Sequence, residues 1–129
     1  MNAELRHLEL DAVTSKIIAC AYRVSNGLGA GFLEKIYENA LAVEFRAARL
    51  QFKQQESFTV RYREEIVGEY VPDLIVADSA IVEVKALDDL SRRYEAQCIN
   101  YLRVTGFPVA LLLNFGTPRL QLKRIVWRY

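Results

Sequence analysis

The segment Val71–Ala86, VPDLIVADSAIVEVKA, decides the fold of this chain of 129 residues and carries most of its chemistry. Two apolar runs, Leu74–Ala77 and Ala80–Val82, are separated by the turn residues Asp78–Ser79. Apolar runs of this length, bounded by turn residues, predict strands that are buried on both faces. We therefore expect a buried hairpin here, around which the rest of the chain is organised.

Three charged residues, Asp73, Glu83 and Lys85, are set into this apolar segment. Because side chains alternate along a strand, Glu83 and Lys85 should share one face, and Val82 and Val84 the other. The hairpin turn would also place Asp73 beside Glu83. A buried charge is costly unless it is paired or bound to a metal. Two carboxylates and one ammonium at one point are suited to holding Mg²⁺ against a phosphate.

Composition favours one ordinary globular domain over residues 1–129, since 52% of the residues are hydrophobic and 26% are charged. The formal net charge of +1 gives no overall basic signal for nucleic acid, so any basic surface must be local. The N-terminal sequence has no signal-peptide pattern, and no apolar run approaches the roughly 18 residues of a membrane helix. A cytoplasmic protein without a membrane partner is expected.

Histidine and cysteine usage excludes several kinds of site. His7 is the only histidine, which argues against histidine-based zinc sites and against Ser-His or Cys-His nucleophiles. Cys20 and Cys98 lie in apolar helical patterns and are expected to be buried thiols in a reducing compartment. The glycines of Ser25–Gly31 do not form a phosphate-binding loop, because no strand precedes them and no Gly-Lys-Ser/Thr follows. We interpret them as a helix end at Asn26-Gly27.

Periodicity predicts three helices and five strands in the order ααβββαββ. The helices are expected at Leu8–Val24, Phe32–Leu50 and Leu90–Thr105, and the strands at Ser57–Tyr62, Ile66–Val76, Ala80–Ala86, Val109–Phe115 and Leu120–Tyr129. A strand meander followed by a helical crossover favours an α/β (α+β) protein with a central mixed sheet flanked by helices.

Local signals refine these elements. Glu64-Glu65 is expected to form the turn between the first two strands, and Pro72 predicts a bulge just before Asp73. Asp88 or Asp89 is expected to be the N-cap of the third helix. A shift in the apolar phase of the last strand predicts a bulge near Lys123-Arg124.

Several short motifs follow one another along the chain. They are Gly31-x-x-Glu34-x-x-Tyr37, Pro72-Asp73, Glu83-Val84-Lys85, Tyr94-Glu-Ala-Gln97, Asn100-Tyr101-Leu102 and Leu113-Asn114-Phe115-Gly116. Together they resemble the GxxExxY protein family, a branch of the PD-(D/E)XK nuclease superfamily, over roughly residues 8–127. The resemblance implies a restriction-endonuclease-like core with strands and helices in the order α-β-β-β-α-β.

The resemblance also implies roles for individual residues. Asp73, Glu83 and Glu34 would bind a divalent metal, and Lys85 would position the attacking water or stabilise charge on the phosphate. Gln97 and Tyr101 match a Gln-x-x-x-Tyr element that supports the site and the substrate. The catalytic set is Glu34, Asp73, Glu83, Lys85 and Gln97, and the substrate-binding set includes Tyr37 and Tyr101. Arg92 and Arg93 join that set from the charge pattern, because they could form a local basic patch with Arg103, Lys123, Arg124 and Arg128; the alternative is scattered solvated charges.

The expected function is that of a metal-dependent nuclease that uses Mg²⁺, with Mn²⁺ as a substitute, on DNA rather than RNA. The alternative is a catalytically silent module of the same fold that binds a protein or a nucleic acid. Two structural alternatives stay open as well. Asp73, Glu83 and Lys85 could form a buried ion-pair cluster, and Glu34 could be only a helix-start carboxylate. The apolar residues Ile125–Trp127 could form a homodimer interface or part of the core.

Overall fold

A computed structural model describes residues 3–127 as a mixed sheet with helices on both faces. The helices are α1 (Ala3–Leu28), α2 (Glu34–Ala47) and α3 (Arg92–Thr105). The strands are β1 (Phe52–Gln54), β2 (Phe58–Tyr62), β3 (Glu65–Tyr70), β4 (Leu74–Val76), β5 (Ala80–Lys85), β6 (Val109–Asn114) and β7 (Gln121–Val126).

The central sheet has five strands in the order β1-β4-β5-β6-β7. Its two middle strands, β5 and β6, are parallel and are joined through α3, whereas the other neighbours are antiparallel. A parallel pair needs a long crossover, and α3 provides it. The remaining strands, β2 and β3, form a separate two-stranded hairpin.

Each face of the central sheet covers its own apolar cluster. The α1/α2 cluster contains the helix residues Leu10, Ile17, Cys20, Ala21, Val24, Tyr37, Leu41 and Phe45 and the remaining residues Leu74, Val76, Ala80, Val82, Val84, Val109, Leu111, Leu113, Phe115 and Leu120. The α3 cluster contains Tyr70, Ile81, Cys98, Leu102, Ala110, Leu112 and Ile125. The expected alternation along β5 is confirmed, because Val82 and Val84 belong to the first cluster while Ile81 belongs to the second.

The expected element order was wrong before α3, where five strands precede the helix rather than three. β1 has only three residues, too few to show a periodic pattern. The single strand expected at Ile66–Val76 is two strands in two sheets, because the chain leaves the hairpin at Val71–Asp73. Pro72 has no N–H for a ladder hydrogen bond, so the expected bulge is a complete break.

Two local predictions about the strands were also wrong. The turn of the β2–β3 hairpin lies at Arg63 and Glu64, both with positive φ, rather than at Glu64-Glu65. No bulge occurs near Lys123-Arg124, since β6 and β7 pair in one continuous register. The apolar phase of β7 shifts because Leu122 packs on the α1/α2 cluster and Ile125 on the α3 cluster, so one regular strand serves both faces.

The helix boundaries differ from the expected ones by a few residues. α1 continues through Asn26-Gly27 to Leu28, and Gly29 follows with a left-handed φ of 71°. The N-cap of α3 is Ser91, without a side-chain cap, rather than Asp88 or Asp89. Both carboxylates lie in the preceding loop. The C-terminal end of α3 is as expected, with Gly106 left-handed at φ 79°.

Both cysteines are buried free thiols, as expected. Within residues 3–127, no helix is both long and apolar enough to cross a membrane. Ile125 packs into the α3 cluster and Trp127 packs against it, so this part of the C-terminal segment is core. The end of the expected last strand, residues 128–129, and the termini of the expected single domain lie outside the described residues.

Candidate active site

The hairpin of β4 and β5 brings the first two predicted site residues together. Leu74 pairs with Val82, so Asp73 and Glu83 continue the same antiparallel register by one residue. Asp73 Oδ2 accepts a hydrogen bond from the backbone N–H of Val84 at 2.8 Å. The contact ties the Asp73 carboxylate to the strand that carries Glu83, as the sequence predicts.

Glu83 is 7% exposed, and its Oε1 accepts a hydrogen bond from the hydroxyl of Tyr70 at 2.6 Å. The Tyr70 ring is stacked on Tyr101 at a centroid distance of 3.7 Å. Burial, together with the charge of Asp73, raises the pKa of Glu83 to about 7. Burial and the neighbouring Glu83 carboxylate also raise the pKa of Tyr70, so its hydroxyl keeps its proton and remains a donor.

Asp73 lies in a region of excess negative charge. Burial raises the pKa of its carboxyl, and the charges of Glu38 and Glu34 add to the effect, while the hydrogen bond from Val84 opposes it. Both carboxylates of the pair are therefore held in surroundings that disfavour their ionised forms. A cation between them would relieve this, because it would compensate the charge that burial and proximity oppose.

Lys85 does not form the buried ion-pair cluster considered above. Its Nζ lies over the ring of Tyr94, 4.8 Å from the centroid. Within residues 3–127 it makes no ion pair within 4.0 Å with any carboxylate, Asp73 and Glu83 included. The ammonium still lies in electrostatic range, because its charge lowers the pKa of both carboxyl groups. It is thus available to an anion brought by another molecule.

Glu38 is a buried carboxylate that was not among the predicted site residues. It is 4% exposed and accepts hydrogen bonds from Lys35, Gln54 and Gln55 at 2.7–3.2 Å. The backbone N–H of Gln55 in turn donates to the carbonyl of Asp73 at 3.2 Å. Glu38 therefore fixes the strand beside Asp73 and contributes negative charge to it.

The other predicted catalytic residues lie farther out. Glu34 is exposed in the first turn of α2 and acts on Asp73 through its charge. Gln97 is exposed on α3, and its side chain makes no hydrogen bond to the part of the chain that the structure describes. Arg92 is the exposed first residue of α3, and Arg93, also exposed, donates to the Tyr94 hydroxyl at 2.9 Å.

Tyr37 does not have the accessible position expected of a substrate-binding residue. It is 0% exposed and is stacked on Phe115 at 4.8 Å. Its hydroxyl donates to the carbonyl of Gly29 and accepts from the N–H of Phe32, so it closes the loop between α1 and α2. Its side chain fixes the start of α2, the helix that carries Glu34.

A buried amide secures the end of β5, directly after Lys85. Asn114 Oδ1 accepts from the N–H groups of Leu87 and Gly116, and its Nδ2 donates to the carbonyl of Leu87 and to Gln121. A Cβ at Gly116 would overlap the backbone of Leu87 and Ala86. Because Phe115 N–H also donates to the carbonyl of Lys85, the β6–β7 turn and the end of β5 form one packed unit.

Sequence reasoning missed Glu38, Tyr70, Tyr94 and Asn114 as parts of the site. Helical spacing placed Glu38 on the face of Glu34, and Tyr94 on the face of Gln97, so a signal existed for both. Tyr70 reaches Glu83 because the chain leaves the hairpin sheet at Val71–Asp73. Pro72 is a local signal for that break, but no local pattern predicts where Tyr70 then packs.

Within residues 3–127, no group of three or more His, Cys, Asp and Glu side chains is arranged to hold a metal ion. The carboxylate pair nevertheless fits a divalent cation in chemistry. Asp73 Oδ1 forms no hydrogen bond with a described residue, and the Glu83 carboxylate is held by the Tyr70 hydroxyl and the backbone of Asp73. Mg²⁺ typically takes one or two protein carboxylates and completes its shell with water and phosphate oxygens.

Comparison with known proteins gives one match. The family model of the PD-(D/E)XK nuclease superfamily matches residues 11–125, which is most of the chain. No curated protein and no solved structure gives a significant match. The mixed sheet with helices on both faces is consistent with a restriction-endonuclease-like fold, as the resemblance implied.

Proposed function

We propose, from the premise that the chain belongs to the PD-(D/E)XK nuclease superfamily, that it is a metal-dependent nuclease acting on DNA rather than RNA. The observation that carries the proposal is the pairing of the buried Glu83 carboxylate with the half-buried Asp73 carboxylate beside a lysine without a carboxylate partner. A cluster kept for stability would pair its charges, since an unpaired buried charge is destabilising. The closer assignment to the GxxExxY branch belongs to the same proposal.

Asp73 and Glu83 are the residues that would hold the metal, and Glu34 on α2, expected above as a third ligand, would add negative charge at Asp73. The bound ion would activate a water molecule and compensate charge on the phosphate. Mg²⁺ is the proposed ion and Mn²⁺ a substitute. The Val84 N–H holds one oxygen of Asp73 and leaves the other for the ion, while Tyr70 fixes the orientation of the Glu83 carboxylate beside it.

Lys85 would supply a positive charge to a non-bridging oxygen of the scissile phosphate. Its ammonium is a compact donor with three N–H groups, and the Tyr94 ring holds it without neutralising it. Charge that develops on the phosphate is stabilised best by groups already aimed at it. The position of Lys85 on the Glu83 face of β5 satisfies that requirement.

Substrate contacts would come from α3 and from the aromatic surface beside the carboxylates. Arg92 and Arg93 are exposed and could neutralise phosphates, and Gln97 is exposed and free to bind. Tyr101 is half-buried against Tyr70 and would act mainly by holding that residue in place. We omit Tyr37 from the substrate-binding set because its hydroxyl and ring are fully engaged.

The testing experiment is cleavage of labelled single- and double-stranded DNA and RNA with Mg²⁺, with Mn²⁺ or with EDTA. Glu83→Gln and Lys85→Met should each reduce the rate about 100-fold or more while the protein stays folded. Asp78→Asn is the matched control, since its carboxylate lies at the other end of the same hairpin and is highly exposed. That variant should keep the wild-type rate.

The same experiment separates the nuclease from a catalytically silent binding module. Equal inactivity of wild type and variants on every substrate, together with no Mg²⁺ or Mn²⁺ binding in calorimetry, would reject the nuclease. A homodimer is a further part of the proposal, because β7 is an edge strand of the sheet and Val126 is exposed on it. Sedimentation of the protein at several concentrations tests it directly.

A further inference from the structure

Two cationic side chains meet at a single aromatic ring near the start of α3. Lys85 Nζ lies 4.8 Å from the centroid of the Tyr94 ring, and the guanidinium carbon of Arg93 lies 4.9 Å from it. The two charges are therefore no more than about 10 Å apart and repel each other. The ring attracts both through its negative face, which holds them close without neutralising them.

Lys85 and Arg93 have no carboxylate partner among the described residues, as is true of most basic side chains there, but these two are the cations that lie at one ring, that of Tyr94. Five other basic side chains do form ion pairs, namely Arg23, Lys35, Lys53, Lys123 and Arg124. Neither Lys85 nor Arg93 has a carboxylate within 4.0 Å in that part of the chain. A pair of cations held together in this way is suited to an anion supplied by another molecule.

Tyr94 also offers a hydrogen-bond donor at this point. Its hydroxyl oxygen accepts from Arg93 Nη2 at 2.9 Å, which leaves the hydroxyl hydrogen to donate to another oxygen. Arg93 uses one N–H in that bond, so most of its donors remain for a ligand. The three side chains together present two charges and several donors, which is the chemistry that recognises a phosphate group.

The position of this cluster relates it to the carboxylate pair. Lys85 is two residues after Glu83 on the same face of β5, and α3 lies over that face. An anion bound by Arg93 and the Tyr94 hydroxyl would lie next to one bound by Lys85 at the carboxylates. Phosphates repeat at short intervals along a nucleic-acid strand, so one strand can occupy both places.

We propose that Arg93 and the Tyr94 hydroxyl bind the phosphate adjacent to the scissile phosphate of a nucleic-acid strand, while Lys85, held over the same ring, contacts the scissile phosphate itself. The inference rests on the proposed function, because it specifies how that substrate is held. Tyr94 is the organising residue of the subsite. It positions Lys85 through its ring and Arg93 through its ring and its hydroxyl.

The test measures binding alone, so that it does not depend on cleavage. A fluorescent single strand and a fluorescent duplex are titrated with protein in EDTA by anisotropy, at salt concentrations from about 50 to 200 mM. Arg93→Gln should weaken binding and reduce the slope of log K against log salt by about 0.7 on the single strand or 0.9 on the duplex, which corresponds to one phosphate contact. Tyr94→Leu should reduce the slope at least as much, because both cations lose their support.

Two further variants make the test specific. Tyr94→Phe keeps the ring and should keep the slope, with a smaller loss of affinity from the missing hydroxyl. Arg103→Gln removes an equal charge from the last turn of the same helix, where Arg103 Nη1 donates to Asn100 at 3.3 Å, and should leave the slope unchanged.

Equal slope changes for Arg93→Gln and Arg103→Gln would overturn the subsite, because they would indicate only general charge attraction. Absence of wild-type binding to both probes would overturn it as well. Either result leaves the metal-dependent cleavage assay to decide the nuclease proposal on its own. Conversely, a specific slope change in a protein that neither cleaves nucleic acid nor binds Mg²⁺ or Mn²⁺ would support a phosphate contact at Arg93 and reject the nuclease.

Discussion

The two faces of the central sheet bury very different groups. The α1/α2 cluster is apolar almost throughout and is covered by two helices. The α3 cluster is smaller, and its Tyr70 donates a hydrogen bond to the buried Glu83 carboxylate. β5 contributes Val82 and Val84 to the first face and Glu83 and Lys85 to the second. The apolar face of β5 therefore stabilises the fold and fixes the backbone. The opposite face carries the charged groups of the candidate site, whose burial destabilises the fold.

The largest loss of stability is expected from truncating a side chain in the α1/α2 cluster. Leu111→Ala should lower the free energy of unfolding by about 4 kcal/mol, because Leu111 is fully buried between β5 and two helices. Leu112→Ala, on the next residue, should cost about 2 to 3 kcal/mol, since the partly buried Phe107 and Trp127 can move toward the cavity. Chemical denaturation followed by circular dichroism measures both. A larger loss for Leu112→Ala would contradict the ranking of the faces.

The second prediction concerns how much the buried carboxylate of Glu83 lowers the free energy of unfolding. Its pKa is about 7 in the folded protein and near 4.5 when unfolded, so the folded state binds the proton more tightly. Stability of the metal-free protein should therefore fall as pH rises from about 4.5 to 7, by about 3 kcal/mol from this group. Glu83→Gln should be more stable than wild type at pH 8 and nearly equal at pH 4.5.

Thermal unfolding across this pH range, in EDTA, checks the prediction for Glu83. Asp78→Asn serves again as control and should follow the wild-type curve, because its carboxylate is exposed. A Glu83→Gln variant that is less stable than wild type at pH 8 would mean that the carboxylate stabilises the fold after all.

A smaller effect is expected from Tyr70→Phe. The hydroxyl of Tyr70 lowers the pKa of Glu83 by donating to its carboxylate, so its removal should raise that pKa above 7. We expect a loss of about 1 to 2 kcal/mol at pH 8, where the carboxylate is charged, and less at pH 5. The pH dependence of the free energy of unfolding should shift toward higher pH. An unchanged dependence would mean that the Tyr70 hydroxyl does not influence the pKa of Glu83.

The smallest difference between the two faces is expected in the reaction of their cysteines with thiol reagents, because both cysteines are buried. Burial raises the pKa of Cys20 on the α1/α2 face and raises the pKa of Cys98 on the other face to about 12. Because the thiolate is the reactive form, neither should react with a disulfide reagent in the folded protein at pH 8. Two thiols should appear after denaturation; rapid reaction of Cys98 alone would indicate that the α3 face opens.

Much of this arrangement could be predicted from local patterns. The β4–β5 hairpin follows from two short apolar runs and a turn, and strand alternation assigns Glu83 and Lys85 to one face. The proximity of Asp73 and Glu83 then follows from the register. These features depend on contacts within about a dozen residues, where periodicity and turn chemistry are informative.

The unpredicted part depends on where distant segments meet. Glu38 is held by Gln54 and Gln55, and Gln54 lies in a strand too short to have a pattern of its own. Tyr70 reaches Glu83 because the chain changes sheets at Val71–Asp73. The partner of Lys85 is an aromatic ring on α3 instead of a carboxylate, and nothing in the charge pattern of β5 specifies that choice.

The packing of Gly116 against Leu87 has a consequence for how related genes should be compared. A gene copy that retains Asp73, Glu83 and Lys85 but carries any larger residue at 116 would pass a search for the acidic motif. In such a copy the added atoms would displace the end of β5 and with it the lysine. Position 116 therefore shows whether a related chain can keep the same end of β5, although glycine itself carries no functional group.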